Sequence, residues 1–221
     1  MPIDTAIFDI DGTLVDSNYQ HIEAWSRAFG DRGIHVPTWV LHDHMGMGGD
    51  QLVAEVAGDE VETDLGDELR AAWSEAYDAL LDRVRPFASA AALLSRTAAL
   101  GTSVVLATSG KPEHTTRALQ LLGLDDHSYP IVTSEEVGAT KPAPDLVEAA
   151  LAAAGGRSGL VIGDTVWDVR AAGRAGLPAV ALRTGGTARC VLDDAGAVSV
   201  YDDPTALLAN LEMELRHPAK G

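Results

Sequence analysis

Six short apolar runs recur along the chain, at residues 5–10, 103–108, 129–133, 159–163, 178–182 and 197–200. Their length and their content of Val, Ile and Leu predict buried strands. Between most of them lie helical patterns, at 88–100, 112–122, 143–154 and 166–175, each closed by a glycine: Gly101, Gly123, Gly155 and Gly176. Strands alternating with helices of this length imply right-handed crossovers, hence an α/β fold with a Rossmann-like, mostly parallel sheet covered on both faces. In such sheets ligands bind beyond the carboxyl ends of the strands.

One stretch breaks the alternation. Residues 16–85 contain no strand-like run, and helical patterns fill them at 18–31, 50–57 and 64–84. We expect an inserted α-helical cap at 16–85, interrupting a catalytic core made of 1–15 and 86–221. Both ends of the cap return to the core, so it is expected to sit over the end of the first strand and to open and close on two linkers. A frayed tail is expected at 216–221.

Charge sharpens this picture. The chain of 221 residues has 33 acidic against 16 basic side chains, a net charge of −17. The cap segment alone holds 15 Asp and Glu against 5 Arg and no Lys. Such a surface repels nucleic-acid backbones and anionic lipid, so neither is expected as a partner. A small phosphorylated metabolite is not excluded, because local cations or a divalent ion can reverse the field inside one pocket. The single cysteine, Cys190, can form no internal disulfide. The first ten residues show no basic leader before a long apolar run, and no segment reaches the roughly 18 apolar residues of a membrane span, so a cytoplasmic location is expected.

Chemistry concentrates at predicted strand ends. Asp9-Ile10-Asp11-Gly12-Thr13 closes the first strand. Carboxylates two residues apart on a strand point the same way, and they repel unless a cation or proton lies between them. Thr108-Ser109 ends the second run, where a hydroxyl and an amide could hydrogen-bond a phosphoryl oxygen. Lys141, one of three lysines, precedes a proline in a loop. Gly163-Asp164-Thr165 follows the fourth run, with Asp168 four residues after Asp164. Asp164 or Thr165 could simply cap the helix starting near Val166, but that role alone would leave Asp168 unexplained.

These four motifs, in this order and over nearly the whole chain, resemble the haloacid dehalogenase superfamily, in particular its magnesium-dependent phosphatases and phosphomutases with a small helical cap. A carboxylate such as Asp9 needs no deprotonation to act as a nucleophile, and Asp11 is then suited to general acid and base duty. The resemblance assigns the same roles. It also implies that the Asp9 side chain, the Asp11 main-chain carbonyl and Asp164 bind Mg²⁺, with Asp168 as a further or outer ligand. Hard, few oxygen donors are what Mg²⁺ prefers. Lys141 would offset the charge of the aspartates and the phosphoryl group.

The cap contributes candidates of its own. His21 stands ten residues after Asp11, a placement that resembles a cap-hinge histidine near substrate. The glycine-rich run Met45-Gly46-Met47-Gly48-Gly49-Asp50 resembles a cap loop that reaches the active site, which nominates Gly48, Gly49 and Asp50 for substrate contact. It lacks the lysine and spacing of a nucleotide-binding P-loop. His42 and His44 are not spaced to share a helical face and, with His35, are expected at the surface. Trp25, Trp39 and Trp73 are expected to pack the cap helices rather than line a slot.

Alternatives narrow on these residues. A carbon–halogen dehalogenase of this superfamily lacks the second aspartate, and a phosphonate hydrolase needs a cap lysine, which is absent here. The expectation is therefore hydrolysis of a small phosphomonoester through a phospho-aspartate. A phosphosugar mutase is the alternative, although the 45–50 loop offers no cation for a second phosphate. A non-enzymatic aspartyl-phosphate switch is a further alternative. Oligomeric state is not legible.

Overall fold

The sheet is built outward from β1 (Thr5–Phe8), whose four residues are all buried. A two-residue ribbon follows, β2 (Val15–Asp16) against β3 (Arg85–Pro86), and the remaining strands are β4 (Ser103–Ala107), β5 (Ile131–Val132), β6 (Gly159–Gly163), β7 (Ala179–Leu182) and β8 (Ser199–Tyr201). This computed structural model describes residues 3–124 and 128–216. Six strands form one parallel sheet in the order β5-β4-β1-β6-β7-β8. The chain therefore fills one side of β1 first and then crosses to the other, which makes the carboxyl end of β1 the switch point where a crevice opens.

Ten helices accompany the strands among the described residues: α1 (Asn18–Gly30), α2 (Thr38–Asp43), α3 (Gly49–Ala57), α4 (Asp59–Asp78), α5 (Ala90–Ala99), α6 (Pro112–Leu121), α7 (Asp145–Ala153), α8 (Val166–Arg174), α9 (Arg189–Asp194) and α10 (Pro204–Arg216). Side-chain alternation along the strands separates two cores. Ala6, Phe8, Leu106, Leu160 and Ile162 join the larger one with residues of α5 and α10, while Ile7, Val105, Ala107 and Val161 face the opposite way toward α7, α8 and α9. The larger core continues into helices α1 to α4, where α1 packs on α4 and α3 on α4 around Trp25, Phe29, Leu52, Leu69 and Trp73.

All six predicted strands and four predicted core helices are present, with shifted ends. The first strand closes at Phe8, and the third is only Ile131–Val132 because Thr133 leaves the ladder to cap the turn Ser134–Glu136. The helix expected at 64–84 starts earlier, at Asp59, where Asp59, Glu60 and Glu62 suit the positive end of the helix dipole, and it ends at Asp78 before a short 3-10 turn at Leu81–Arg83. Helices α2, α9 and α10 are not anticipated by the sequence pattern. Neither is the ribbon, in which Val15 pairs with Pro86 and Asp16 with Arg85. Of the expected tail, Arg216 closes α10 and residues 217–221 lie outside the described residues.

Candidate active site

Every strand that contributes chemistry ends at the same crevice. Asp9 directly follows β1, and its amide donates to the Ile162 carbonyl of β6 at 2.9 Å, so the ladder fixes this residue one step beyond the strand. The backbone then turns sharply: the amides of Thr13, Leu14 and Val15 all bond the Ile10 carbonyl. Gly12 sits in this turn at φ +75°, and a Cβ there would collide with the Asp164 carboxylate and the Asn18 amide. Only glycine allows both the turn and the approach.

Three carboxylates converge. One oxygen each from Asp9, Asp164 and Asp168 lie within 4.8 Å of one another, and all three residues are buried. Lys141 enters from the loop between β5 and α7 and places its ammonium 2.5 Å from Asp9 Oδ1 and 2.6 Å from Asp168 Oδ1. Asp164 is held by two donors, Thr13 Oγ1 at 2.9 Å and Asn18 Nδ2 at 2.8 Å. Asp168 is one residue with two duties. Its Oδ2 accepts from the amide and hydroxyl of Thr165 at 3.0 and 2.6 Å, completing a capping box at the start of α8, and its Oδ1 faces Lys141. The expectation that helix capping would have no use for Asp168 is thus corrected: Thr165 is the cap and Asp168 its partner.

Electrostatics follow from this crowding. Burial pushes the Asp9 carboxyl up to about 7; Lys141 pulls it down, while Asp168 and Asp11 push it further up. Burial, with Asp168 and Asp9 beside it, drives Asp164 well above the usual carboxylate range. Burial disfavours the Lys141 charge, yet Asp168 and Asp9 outweigh it and hold the ammonium above its ordinary value. Three acidic groups against one cation leave a deficit of positive charge, and the donors are hard oxygens. A divalent cation of the Mg²⁺ type fits both conditions.

Asp11 belongs to a different environment. Its carboxylate turns away from the triad, accepting from Ser17 Oγ at 2.6 Å and lying 3.2 Å from His21 Nε2. Burial would raise its pKa, but His21 and Ser17 prevail and hold it at about 2. His21 itself is buried, stacked at 3.8 Å on the Tyr77 ring and at 5.5 Å on Trp73.

A cavity of about 50 Å³ lies over these groups. Asp9, Asp11, Thr108 and Ser109 line its floor, and His21, Trp25, Met45, Met47 and Trp73 line its roof. Thr108 Oγ1 accepts from the Gly110 amide at 2.9 Å, which leaves its hydrogen free, and the buried Ser109 Oγ has no hydrogen-bond partner. The tryptophan expectation is corrected here. Trp25 and Trp73 stack on each other at 5.2 Å and also face the cavity, whereas Trp39 is 69% exposed.

Of the loop residues nominated for substrate contact, Gly49 lines the cavity, but Gly48 and Asp50 face the core residue Thr140. His42 and His44 are half-buried rather than superficial, His42 bonded to the Gly185 carbonyl and His44 stacked on Trp167; His35 is exposed. Sequence reasoning missed Thr13, Ser17 and Asn18, which orient Asp164 and Asp11; their polar types right after the Asp9–Asp11 motif were the available signal.

Paired carboxylates at the switch point of a parallel sheet, with a buried lysine between strands, define a hydrolase-type acidic centre roofed by helices. The chain matches the haloacid dehalogenase-like hydrolase family over residues 3–176 and belongs to that family. It is 31% identical to validoxylamine A 7′-phosphate phosphatase of Streptomyces hygroscopicus subsp. limoneus across 81% of this chain and 85% of that protein. It is 30% identical to a phosphoglycolate phosphatase of Yersinia pestis across 80% of each. Among solved structures, a hydrolase from Pseudomonas syringae superposes with a TM-score of 0.91 at 34% identity, covering 95% of this chain and 98% of that one. No helix among the described residues is long and apolar enough to cross a membrane.

Proposed function

We propose that the protein is a magnesium-dependent phosphoric monoester hydrolase that cleaves a small phosphomonoester through a phospho-aspartate on Asp9. One observation carries the reading: a buried ammonium bridges Asp9 and Asp168 beside Asp164, while Asp11, on the same cavity floor, has its own partners in Ser17 and His21. Two carboxyl groups given different surroundings are suited to different tasks.

Asp9, Asp164 and the Asp11 carbonyl would hold Mg²⁺, with Asp168 next to them; when bound, the ion supplies positive charge that offsets the phosphoryl group and favours ionised Asp9. In the first half-reaction an Asp9 oxygen forms a bond to phosphorus as the bond to the leaving oxygen breaks, and the departing alkoxide takes a proton from Asp11. Water then attacks the acyl phosphate, Asp11 removes its proton, and the Asp9 carboxylate departs. Resting Asp11 is ionised, which suits the second half. For the first, a phosphoryl dianion brought beside it raises its affinity for a proton, and His21 at 3.2 Å is the nearest titratable neighbour. Thr108 and Ser109 donate to phosphoryl oxygens, and Lys141 balances their charge.

Residues 16–85 act as a cap in this reading, closing the cavity and excluding water. At about 50 Å³ the cavity holds little beyond a phosphoryl group, so a bulkier leaving group needs the cap to move outward. The leaving group then meets the rings of Trp25 and Trp73 and the thioethers of Met45 and Met47. Phosphate release from p-nitrophenyl phosphate with Mg²⁺, abolished in Asp9→Asn, tests the proposal; a protein that becomes stably phosphorylated without turnover would instead be a switch.

A mutase is the second reading, favoured by Lys111. Its ammonium lies 5.7 Å over the Trp73 ring and forms no ion pair with a described residue, so a cation stands near the cavity for a second phosphate. Conversion of β-glucose 1-phosphate to the 6-phosphate without free phosphate would establish it.

A further inference from the structure

The cap loop grips the chain at the residue before the buried lysine. Thr140, itself buried, meets three cap positions, Gly48, Asp50 and Gln51. Asp50 accepts from the Thr140 amide at 3.2 Å and, through its other oxygen, from the Thr140 hydroxyl. Gln51 Nε2 donates to the Thr140 carbonyl at 2.6 Å and lies 3.5 Å from the Lys141 carbonyl. Gly48 approaches so closely that any Cβ there would collide with the Thr140 side chain. The segment gripped in this way belongs to no strand or helix; its internal support is the Ala143 amide on the Thr140 carbonyl, with Arg174 on the Pro142 carbonyl just beyond.

We propose that Asp50 and Gln51 are positioning residues for Lys141, so that docking of the cap sets the ammonium between Asp9 and Asp168. The inference rests on the role given to Lys141 above. An ångström of displacement at a reacting centre costs far more in rate than in binding. Contacts that hold the main chain of residues 140 and 141 therefore act on turnover, not on substrate affinity. The same contacts exist only when the start of α3, residues 48–51, lies on the core, which ties the readiness of the lysine to closure. Neither Asp50 nor Gln51 lines the cavity, so neither is a catalytic residue.

The test compares Asp50→Ala, Gln51→Ala and Thr140→Val with the conservative Asp50→Asn. We expect Asp50→Ala to lower kcat about tenfold, the size of one lost charge-assisted hydrogen bond, with KM nearly unchanged and the same ratio for aryl and alkyl phosphates. Asp50→Asn, which keeps one acceptor, should recover much of the loss. In a Lys141→Ala background Asp50→Ala should have no further effect, since the group it positions is gone.

Amide exchange supplies a readout independent of hydrolysis: the Thr140 amide should be protected in the wild type and exposed in Asp50→Ala at equal melting temperature. If Asp50→Ala fails to fold, Gln51→Ala and Thr140→Val decide by the same criteria. A loss confined to KM that varies with the leaving group, full additivity with Lys141→Ala, or unchanged exchange at Thr140 overturns the inference. A wild type that releases no phosphate but shows the exchange pattern would sink the phosphatase reading and leave the docking contact standing.

Discussion

Replacing the buried carboxylate of Asp9 by an amide should make the metal-free protein more stable, and more so as pH rises. The folded-state pKa of Asp9 stands at about 7 against 3.8 for a free side chain. The unfolded chain therefore ionises first on raising the pH, and ionisation favours unfolding throughout the window between those values. At about 1.36 kcal/mol per unit, the accumulated cost is about 2 kcal/mol at pH 5 and about 4 kcal/mol at pH 8. Asp9→Asn removes this dependence while leaving Lys141 paired with Asp168. Urea denaturation of both proteins in chelator at the two pH values measures it: the stability difference should move in favour of the variant by about 2–3 kcal/mol between pH 5 and pH 8. Asp164 is itself pushed up by Asp9, so the variant also relaxes Asp164, and the measured difference reports the coupled pair. Excess Mg²⁺ should stabilise the wild type more than the variant, because an amide is the poorer ligand. Parallel curves in chelator would refute the argument that desolvation at this point outweighs the lysine.

Asp11→Asn should slow turnover by about 10² to 10⁴ with a poor alkyl leaving group and much less with p-nitrophenolate, which needs no proton to depart; equal losses on both would remove Asp11 from the acid role. Asn18→Ala and Thr13→Val each unpair one oxygen of Asp164. They should weaken Mg²⁺ binding by about 10- to 100-fold, read by calorimetry. Trp73→Ala strips part of the cavity roof and of the cap core, and should raise KM while costing about 3–5 kcal/mol in denaturant stability; an unchanged KM would place the leaving group elsewhere.

The sequence displays chemistry where chemistry is local. Asp9 and Asp11 share one strand end, and Asp164 and Asp168 share one strand-to-helix turn, so spacing alone suggests which residues gather there. The Asp11 carboxylate, expected to point with Asp9, turns instead to Ser17 and His21 because the chain leaves the strand at Phe8. Buried strands were legible for the same reason, since runs such as residues 159–163 are apolar on both faces. Docking between distant segments left no such trace. Asp50 is nominated for substrate contact by the resemblance of its loop, and nothing along the chain ties it instead to Thr140, ninety positions away. Trp25 and Trp73 fit an apolar helical face equally well whether they stop at the core or go on to roof a cavity. The ribbon at residues 15–16 and 85–86 was invisible because two residues carry no periodicity, and α2 and α9, at six residues each, are nearly as short.

That ribbon has a further effect on timing. Because its two strands are hydrogen-bonded to each other, the departure and return of the chain lie side by side and would give the proposed cap a single pivot, with the residues just past it on the moving side. His21 is among them, three residues into α1, while its partner Asp11 stays with the sheet. If the roof swings away to admit a substrate, as the proposed cap would, Asp11 parts from His21, and closure restores the pair. Since His21 holds the Asp11 carboxyl low, such a separation would raise the proton affinity of Asp11, giving the protonated form that the first half-reaction of the proposed mechanism needs.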